Sequence, residues 1–363
     1  MNDKNNNLNN TPTIEAEPKL VSKKQWVWSV LFVIIAVVSV WAVVEQSREF
    51  SFSGFIEFFK NASPLWIIAA FISMFGFIFF EGMALLCFCK AFGYKQPIRK
   101  GILYSAGDIY FSAITPSASG GQPASAYFMM KNGIPGMVTT VSLVANLCMY
   151  ILSILIIGVL CVIIFPGVFF EASGLSQTLI IAGYITQFVL GFFFLMLLTQ
   201  KKLLHSIIKF CLHLVCKLRI LKNEEKYQQK LTAYMDSYRS YAQMLSGHTK
   251  TLVKVFIFNF LQRLSQISVS LFTYLAAGGS IANAGKLLAM QGYVVLGSNF
   301  VPIPGAMGVS DYLMLDIFGT IMDEKTAVNL ELLSRSFSFY ICVFLCGVIT
   351  LVGYQIVIRR NKK

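Results

Sequence analysis

Long apolar runs alternate with short charged stretches along the whole chain, and six of those runs, at 26–44, 64–89, 137–165, 177–199, 251–276 and 330–358, are long enough to cross a bilayer as helices. The hydrocarbon core is about 30 Å thick, which takes roughly 20 residues of helix. Four shorter apolar pieces remain, 98–114 with 124–132 and 283–298 with 307–321. Each pair flanks a Pro/Gly-rich interruption: Thr115-Pro116-Ser117-Ala118-Ser119-Gly120-Gly121-Gln122-Pro123 in the first, Val301-Pro302-Ile303-Pro304-Gly305-Ala306-Met307-Gly308 in the second. Backbone that leaves helical geometry at membrane depth must be covered by protein or line a polar cavity, because lipid satisfies no N–H or C=O group. The pattern therefore predicts an all-α polytopic membrane protein with about six full spans and two re-entrant helical hairpins. Broken helices in corresponding halves point to a transport-type binding site.

Loop charges orient the spans, because cytoplasmic loops collect Lys and Arg near the span ends. Lys23 and Lys24 precede the first run; Lys90, Lys95, Arg99 and Lys100 follow the second; a dense basic set from Lys201 to Arg239 follows the fourth; Arg359, Arg360, Lys362 and Lys363 follow the last. The stretches 45–63, 166–176, 277–282 and 322–329 are poor in basic residues and carry Glu45, Glu49, Glu57, Glu171, Asp323 and Glu324, which puts them outside. Both termini then lie in the cytoplasm, the first hairpin enters from the cytoplasmic face, and the second enters from the outer face. The net charge of +13 reflects these loops, so a nucleic-acid partner is not expected.

The two halves also match in sequence. Pro116, Gly120, Ser125, Tyr127 and Met129 correspond, with one residue deleted, to Pro302, Gly305, Ser310, Tyr312 and Met314. Each hairpin is preceded by one long span and followed by another, in opposite orientation, which predicts an inverted repeat whose hairpin tips meet beside the polar face of 251–276. Outside this unit, 1–24 reads as a disordered cytoplasmic tail, 25–358 as the integral membrane domain, 200–249 as a basic cytoplasmic helical segment lying on anionic headgroups, and 359–363 as a basic tail. The first run follows a polar Asn-rich segment and is not trailed by a small-residue cleavage site, so it is expected to be retained. Eight cysteines fall in spans or cytoplasmic loop, and no disulfide framework is expected. His205, Cys211, His213 and Cys216 scatter over more than one helix face, so no metal or other cofactor is predicted.

Candidate chemistry concentrates on 251–276, where Asn259, Gln262, Arg263, Gln266 and Ser270 share one helical face. An Arg near mid-bilayer costs several kcal/mol and is expected to face a partner or a polar cavity; it either pairs with a carboxylate such as Glu81 or meets substrate. Glu81 lies in the span before the first hairpin and Arg335 near the outer end of the span after the second, where substrate contact competes with snorkelling to the outer interface. Asp108, Asp311 and Asp316 complete the intramembrane charges. Gly120, Gly121 and Gly305 permit close backbone approach, and the helices that follow aim free N–H groups inward, a setting that suits an anion. Helix packing alone also explains such glycines. No nucleophile elbow, phosphate-binding loop or catalytic carboxylate pair is evident, so no catalytic residue is assigned.

Residues 114–123, the later Pro302-x-Pro304-Gly305-x-x-Gly308-x-x-Asp311 and Arg335-Ser336-Phe337-Ser338-Phe339-Tyr340 resemble the lysylphosphatidylglycerol synthase transmembrane region family, the flippase-like membrane domain of bacterial multiple-peptide-resistance proteins. The resemblance covers about 25–358. It implies a domain in the bacterial plasma membrane that moves aminoacylated phosphatidylglycerol between leaflets, while a separate cytoplasmic domain of two-part members transfers lysine from lysyl-tRNA. The chain ends five residues after Ile358, so lysyltransferase activity is not expected of it. Many members carry Glu where this chain has Gln122 and Asp311; the first difference removes a charge.

These readings lead to a lipid translocase whose partner is an anionic or aminoacylated membrane phospholipid. Substrate contacts are expected from Arg263, Gln266, Asn259, Gln262, Glu81, Arg335 and Asp311, and from the tips at Gly120, Gly121, Gln122, Pro302, Pro304 and Gly305. Nothing couples it to ATP, so movement is downhill or driven by an ion or a potential. Two alternatives stand beside it: a protein of lysyl-lipid synthesis and cationic peptide resistance, working with a separately encoded aminoacyltransferase, and a transporter of a small solute.

Overall fold

The computed structural model describes residues 62–115, 118–200, 237–301, 303–306 and 308–360. The chain divides into 1–49 and 50–363, and all described residues belong to the second unit. The expected span at 26–44, the N-terminal tail, Pro116, Pro302 and the His/Cys set at 205–216 lie outside the described residues, as does most of the basic segment 200–249.

Every regular element described is helical. In chain order these are α1 (Pro64–Ala91), α2 (Ile98–Ile114), α3 (Gly121–Lys131), α4 (Gly136–Ile164), α5 (Pro166–Glu171), α6 (Gly174–Thr199), α7 (Thr249–Ala276), α8 (Ala284–Ser298), α9 (Val309–Phe318), α10 (Glu324–Arg335) and α11 (Cys342–Arg360). A π-helical turn, Ser336–Ile341, joins α10 to α11. Five helices among the described residues are long and apolar enough to cross a membrane: α1, α4, α6, α7 and the continuous run Glu324–Arg359. The protein is thus an all-α polytopic membrane protein.

The start of the last span differs from the sequence expectation. Residues 324–329, read as outer loop, are already helical. The Asp323 side chain accepts from the Thr326 amide at 3.1 Å and from its hydroxyl at 2.7 Å, an N-cap that starts the helix before the apolar run begins. Those two donors hold the exposed Asp323 carboxyl below its ordinary pKa. The 166–176 loop likewise contains α5, started by Pro166 at a position where a missing N–H costs nothing.

The order α1-α2-α3-α4 is repeated by α7-α8-α9 and the α10–α11 run, with similar lengths. The first helices of the two sets, α1 and α7, pack along one another. The Ser63 amide at the start of α1 donates to the Ala276 carbonyl at the end of α7, at 3.1 Å. At the opposite end Phe92, just past α1, meets Tyr241, just before α7, edge to face. The two helices are therefore antiparallel. Each leads straight into its own hairpin, so the hairpins are entered from opposite ends of the bundle, in accord with the inverted repeat. The matched Met129 and Met314 are both buried, and each tip, though at different positions of the repeat, holds an alanine at positive φ, Ala118 at 52° and Ala306 at 49°. A non-glycine residue there costs on the order of 1–2 kcal/mol, a strain the surrounding helices must hold in place.

Two apolar cores follow the two ends. One is built from Tyr293, Leu296, Met314 and Phe318 of the second hairpin against α4 and α7; the other from Leu85, Phe88, Tyr104, Phe128 and Met129 of the first hairpin region. The stretch 237–246 seats Tyr238 and Leu245 in this second core, so this described part of the basic segment docks on the protein. Helix α6 presents Ile181, Ile185, Phe188, Val189 and Phe192 outward, as a lipid-facing helix does.

Close backbone approach fixes the contact of α6 with α8. A Cβ at Gly183 would lie 2.0 Å from the Leu296 carbonyl oxygen, whereas one at Gly174 meets nothing within 4 Å. Gly183→Ala is expected to cost about 2 kcal/mol through forced helix separation and to lower the melting temperature in detergent, with Gly174→Ala close to wild type. Equal melting of the two variants would remove this contact from the list of fold determinants.

Candidate functional site

A cavity of about 660 Å3 lies where the two hairpin tips meet. Ala118 and Gln122 reach it from the first tip, and Ile303, Gly305 and Ala306 from the second. Gln262, Arg263, Gln266 and Ser270 of α7 form one wall, Glu81 of α1 and Asp108 of α2 another, and Tyr150 of α4 with Gln291 of α8 close it from the side. Four of the five residues of the polar stripe predicted on 251–276 thus line the cavity, Asn259 being the exception. The helix period puts these residues on one face, and the antiparallel packing of α1 against α7 turns that face inward.

Arg263 is 7% exposed. Its guanidinium stacks on the Tyr150 ring, 4.1 Å from the centroid, with Phe77 at 5.5 Å. One terminal nitrogen donates to Gln266 Oε1, and Nε has no protein acceptor. The expected alternative, an ion pair with Glu81, is not formed: Glu81 Oε2 instead accepts from Ser105 Oγ at 3.0 Å and from Gln262 Nε2 at 3.1 Å. A buried cation that makes no ion pair among the described residues is an expensive arrangement. Gln262 Oε1, Gln291 Oε1 and Ser334 Oγ, all on the same cavity, also lack protein partners, which leaves acceptors and a hydroxyl for a polar ligand.

Asp108 accepts from Ser112 Oγ at 3.0 Å and from Gln122 Nε2 at 2.7 Å. Gln122 therefore ties the returning helix of the first hairpin to its entering helix. Gly120 and Gly121 do not line the cavity. The Gly120 amide donates to Thr115 Oγ1 at 2.8 Å, and a Cβ at Gly121 would strike the Asp108 carboxylate at 2.1 Å. Their role in the structure is tight closure of the tip.

Arg335 is buried, so of its two expected settings it does not take the snorkelling one at the outer interface. Its Nε contacts the Asp311 carboxylate and lies 3.1 Å from Glu331 Oε1, and a terminal nitrogen donates to the Gly305 carbonyl at 3.5 Å. It locks the second tip to α9 and α10. Asp311 itself caps α9, accepting from the Gly308 amide at 2.7 Å. The N-terminus of α9, predicted to offer free N–H groups to an anion, is thus occupied by its own carboxylate, because Asp at the third helical position reaches back to the cap. Gly305, at φ 62°, faces the Phe339 ring, which a Cβ would meet at 2.6 Å.

The remaining predicted residues sit further away. Asn259 is fully buried and donates to Oδ1 of the cavity-lining Asn146 at 2.9 Å. Asp316 accepts from the Ser173 amide at 3.0 Å, on the loop before α6. Pro302 lies outside the described residues, as does the Pro304 side chain. Tyr150, Gln291, Asn299 and Ser334 escape a sequence reading; Tyr150, whose hydroxyl donates to Asn299 Oδ1 at 3.3 Å, is one Tyr in an apolar run and carries no local signal of the arginine above it.

Residues 26–346 match the family described as Lysylphosphatidylglycerol synthase TM region. A UPF0104 membrane protein of Pyrococcus horikoshii is 24% identical over 140 residues, 38% of this chain and 42% of that protein, so the match spans less than half the length of that relative. No solved structure matches.

Proposed function

From the premise that the chain belongs to the lysylphosphatidylglycerol synthase TM region family, we propose that it is a phospholipid translocase that holds a lipid headgroup phosphate at Arg263. The observation that carries this reading is the buried guanidinium of Arg263, without a carboxylate partner among the described residues, in a cavity lined by both hairpin tips. Tyr150 holds the guanidinium plane by stacking, which leaves its unpartnered N–H edge for phosphate. Acyl chains leave the cavity past α6, where Leu190 lines it yet is 38% exposed on the lipid-facing flank. A soluble solute needs no such sideways route. The headgroup is anionic or aminoacylated, and the setting is a bacterial plasma membrane with both termini cytoplasmic, as the loop charges suggest.

The test is leaflet exchange in proteoliposomes. Fluorescent phosphatidylglycerol in the inner leaflet is expected to become accessible to an external quencher faster than in protein-free vesicles. Identical rates, together with uptake of a water-soluble solute, would overturn the lipid reading.

A further inference from the structure

Two buried carboxyls face the same cavity as Arg263. Glu81 and Asp108 are each 7% exposed. Ser105 donates to Glu81, and Asp108, one turn further along α2, meets the Glu81 carboxyl. Their other donors are Gln262, Ser112 and Gln122, so every hydrogen bond described to the pair comes from a neutral group. Other charged or titratable groups facing the pair are Arg263 of α7, Tyr150 of α4 and the thiol of Cys346 in α11, with Cys342 beside it; α3 contributes Gln122, which does not titrate. Arg335 stands at the second tip, already engaged by Asp311 and Glu331.

Two carboxylates in contact in a low-dielectric site do not both ionise. One proton on the pair leaves a single negative charge, which the guanidinium of Arg263 offsets, so the empty cavity is neutral across these three groups. A phosphodiester at Arg263 adds one negative charge and takes the arginine's field for itself. The remaining carboxylate then lies beside an uncompensated anion, and the set returns to neutrality by taking one proton from water on the side where the lipid enters.

We infer that Glu81 and Asp108 form a proton site coupled to the headgroup site, so that each anionic headgroup crosses with one proton, released when the headgroup leaves. This rests on the phospholipid reading above. Because the bound form holds one proton more than the free form, affinity falls as pH rises, by up to about tenfold per pH unit.

The experiment is calorimetric titration of the purified full chain in detergent with dihexanoyl phosphatidylglycerol, at about pH 7, in HEPES and in Tris, buffers whose ionisation heats differ. The expected result is binding with about one proton taken up, read as a heat difference between the buffers, retention of that difference in Glu81→Gln and in Asp108→Asn, each of which keeps one ionised carboxyl, and its loss in the double variant Glu81→Gln/Asp108→Asn. Binding with equal heats in the two buffers overturns the proton site and leaves the phospholipid reading intact. Proton uptake that persists in the double variant overturns it as well. Absence of binding in the wild type overturns the phospholipid reading and the proton site with it. The wild-type comparison needs no variant to fold, and the pH slope of its affinity is a second reading: a flat slope overturns the proposal.

Discussion

Arg263→Ala is expected to slow leaflet exchange of phosphatidylglycerol about thirtyfold. The estimate follows from one charge-assisted contact to phosphate, worth about 2 kcal/mol, at 1.4 kcal/mol per factor of ten. The fold should survive the change. The described hydrogen bond of this side chain goes to Gln266 on its own helix, and the two carboxyls across the cavity can take up protons when the cation is gone. Melting in detergent is therefore expected to move little while exchange falls. Arg263→Lys should keep only part of the rate, because an ammonium neither stacks flat on Tyr150 nor presents a forked edge. Exchange unchanged in the alanine variant would remove the phosphate site.

Arg335→Leu is expected to act on stability. The side chain sits between Asp311 and Glu331, and Glu331 is itself buried. Removing the cation takes the Arg335 counter-charge from two carboxylates, and breaking a buried pair in this way costs about 3–5 kcal/mol. Asp311 keeps 33% of its side chain exposed, so the low end, about 3 kcal/mol, applies. The loss should appear as a lower melting temperature in detergent and faster proteolysis near the second tip. Adding Glu331→Gln to Arg335→Leu should recover part of it, since one of the stranded charges is then gone. A variant that melts with the wild type would show that the tip is held by packing of Phe339 on Gly305 alone.

Different parts of this architecture were legible to different degrees. Helix α2 runs from 98 to 114 as its largely apolar piece predicts, and it ends at the Thr-Pro step, since the residue before a proline is steered away from helical geometry. The polar stripe on α7 was equally plain, since five polar side chains at helical spacing in an apolar span admit one face. The roles of the charges on that stripe and around it were not. Pairing with Glu81 was one of two settings open to Arg263, yet Glu81 hydrogen-bonds to Ser105 and Gln262; which of several nearby groups a carboxylate meets depends on differences of a few ångström between helices, which spacing along one helix does not encode. The glycines of the first tip read as ligand contacts and turned out to close the tip against Thr115 and Asp108.

By itself the sequence determined that the chain lies in a membrane as an all-helical protein, that two hairpins are broken by Pro and Gly, and that the halves repeat. Apolar length, helical period and loop charge are local quantities, summed along the chain, and they carry that much. The tertiary structure decided what the buried charges do. Antiparallel packing of α1 on α7 brings two tips separated by nearly 200 residues to one cavity. There, Arg335 is neutralised by two carboxylates while Arg263, given an aromatic ring instead, keeps its charge for an anion. In a low-dielectric interior the worth of a charge is set by its neighbours in space, and those just named come from three different helices.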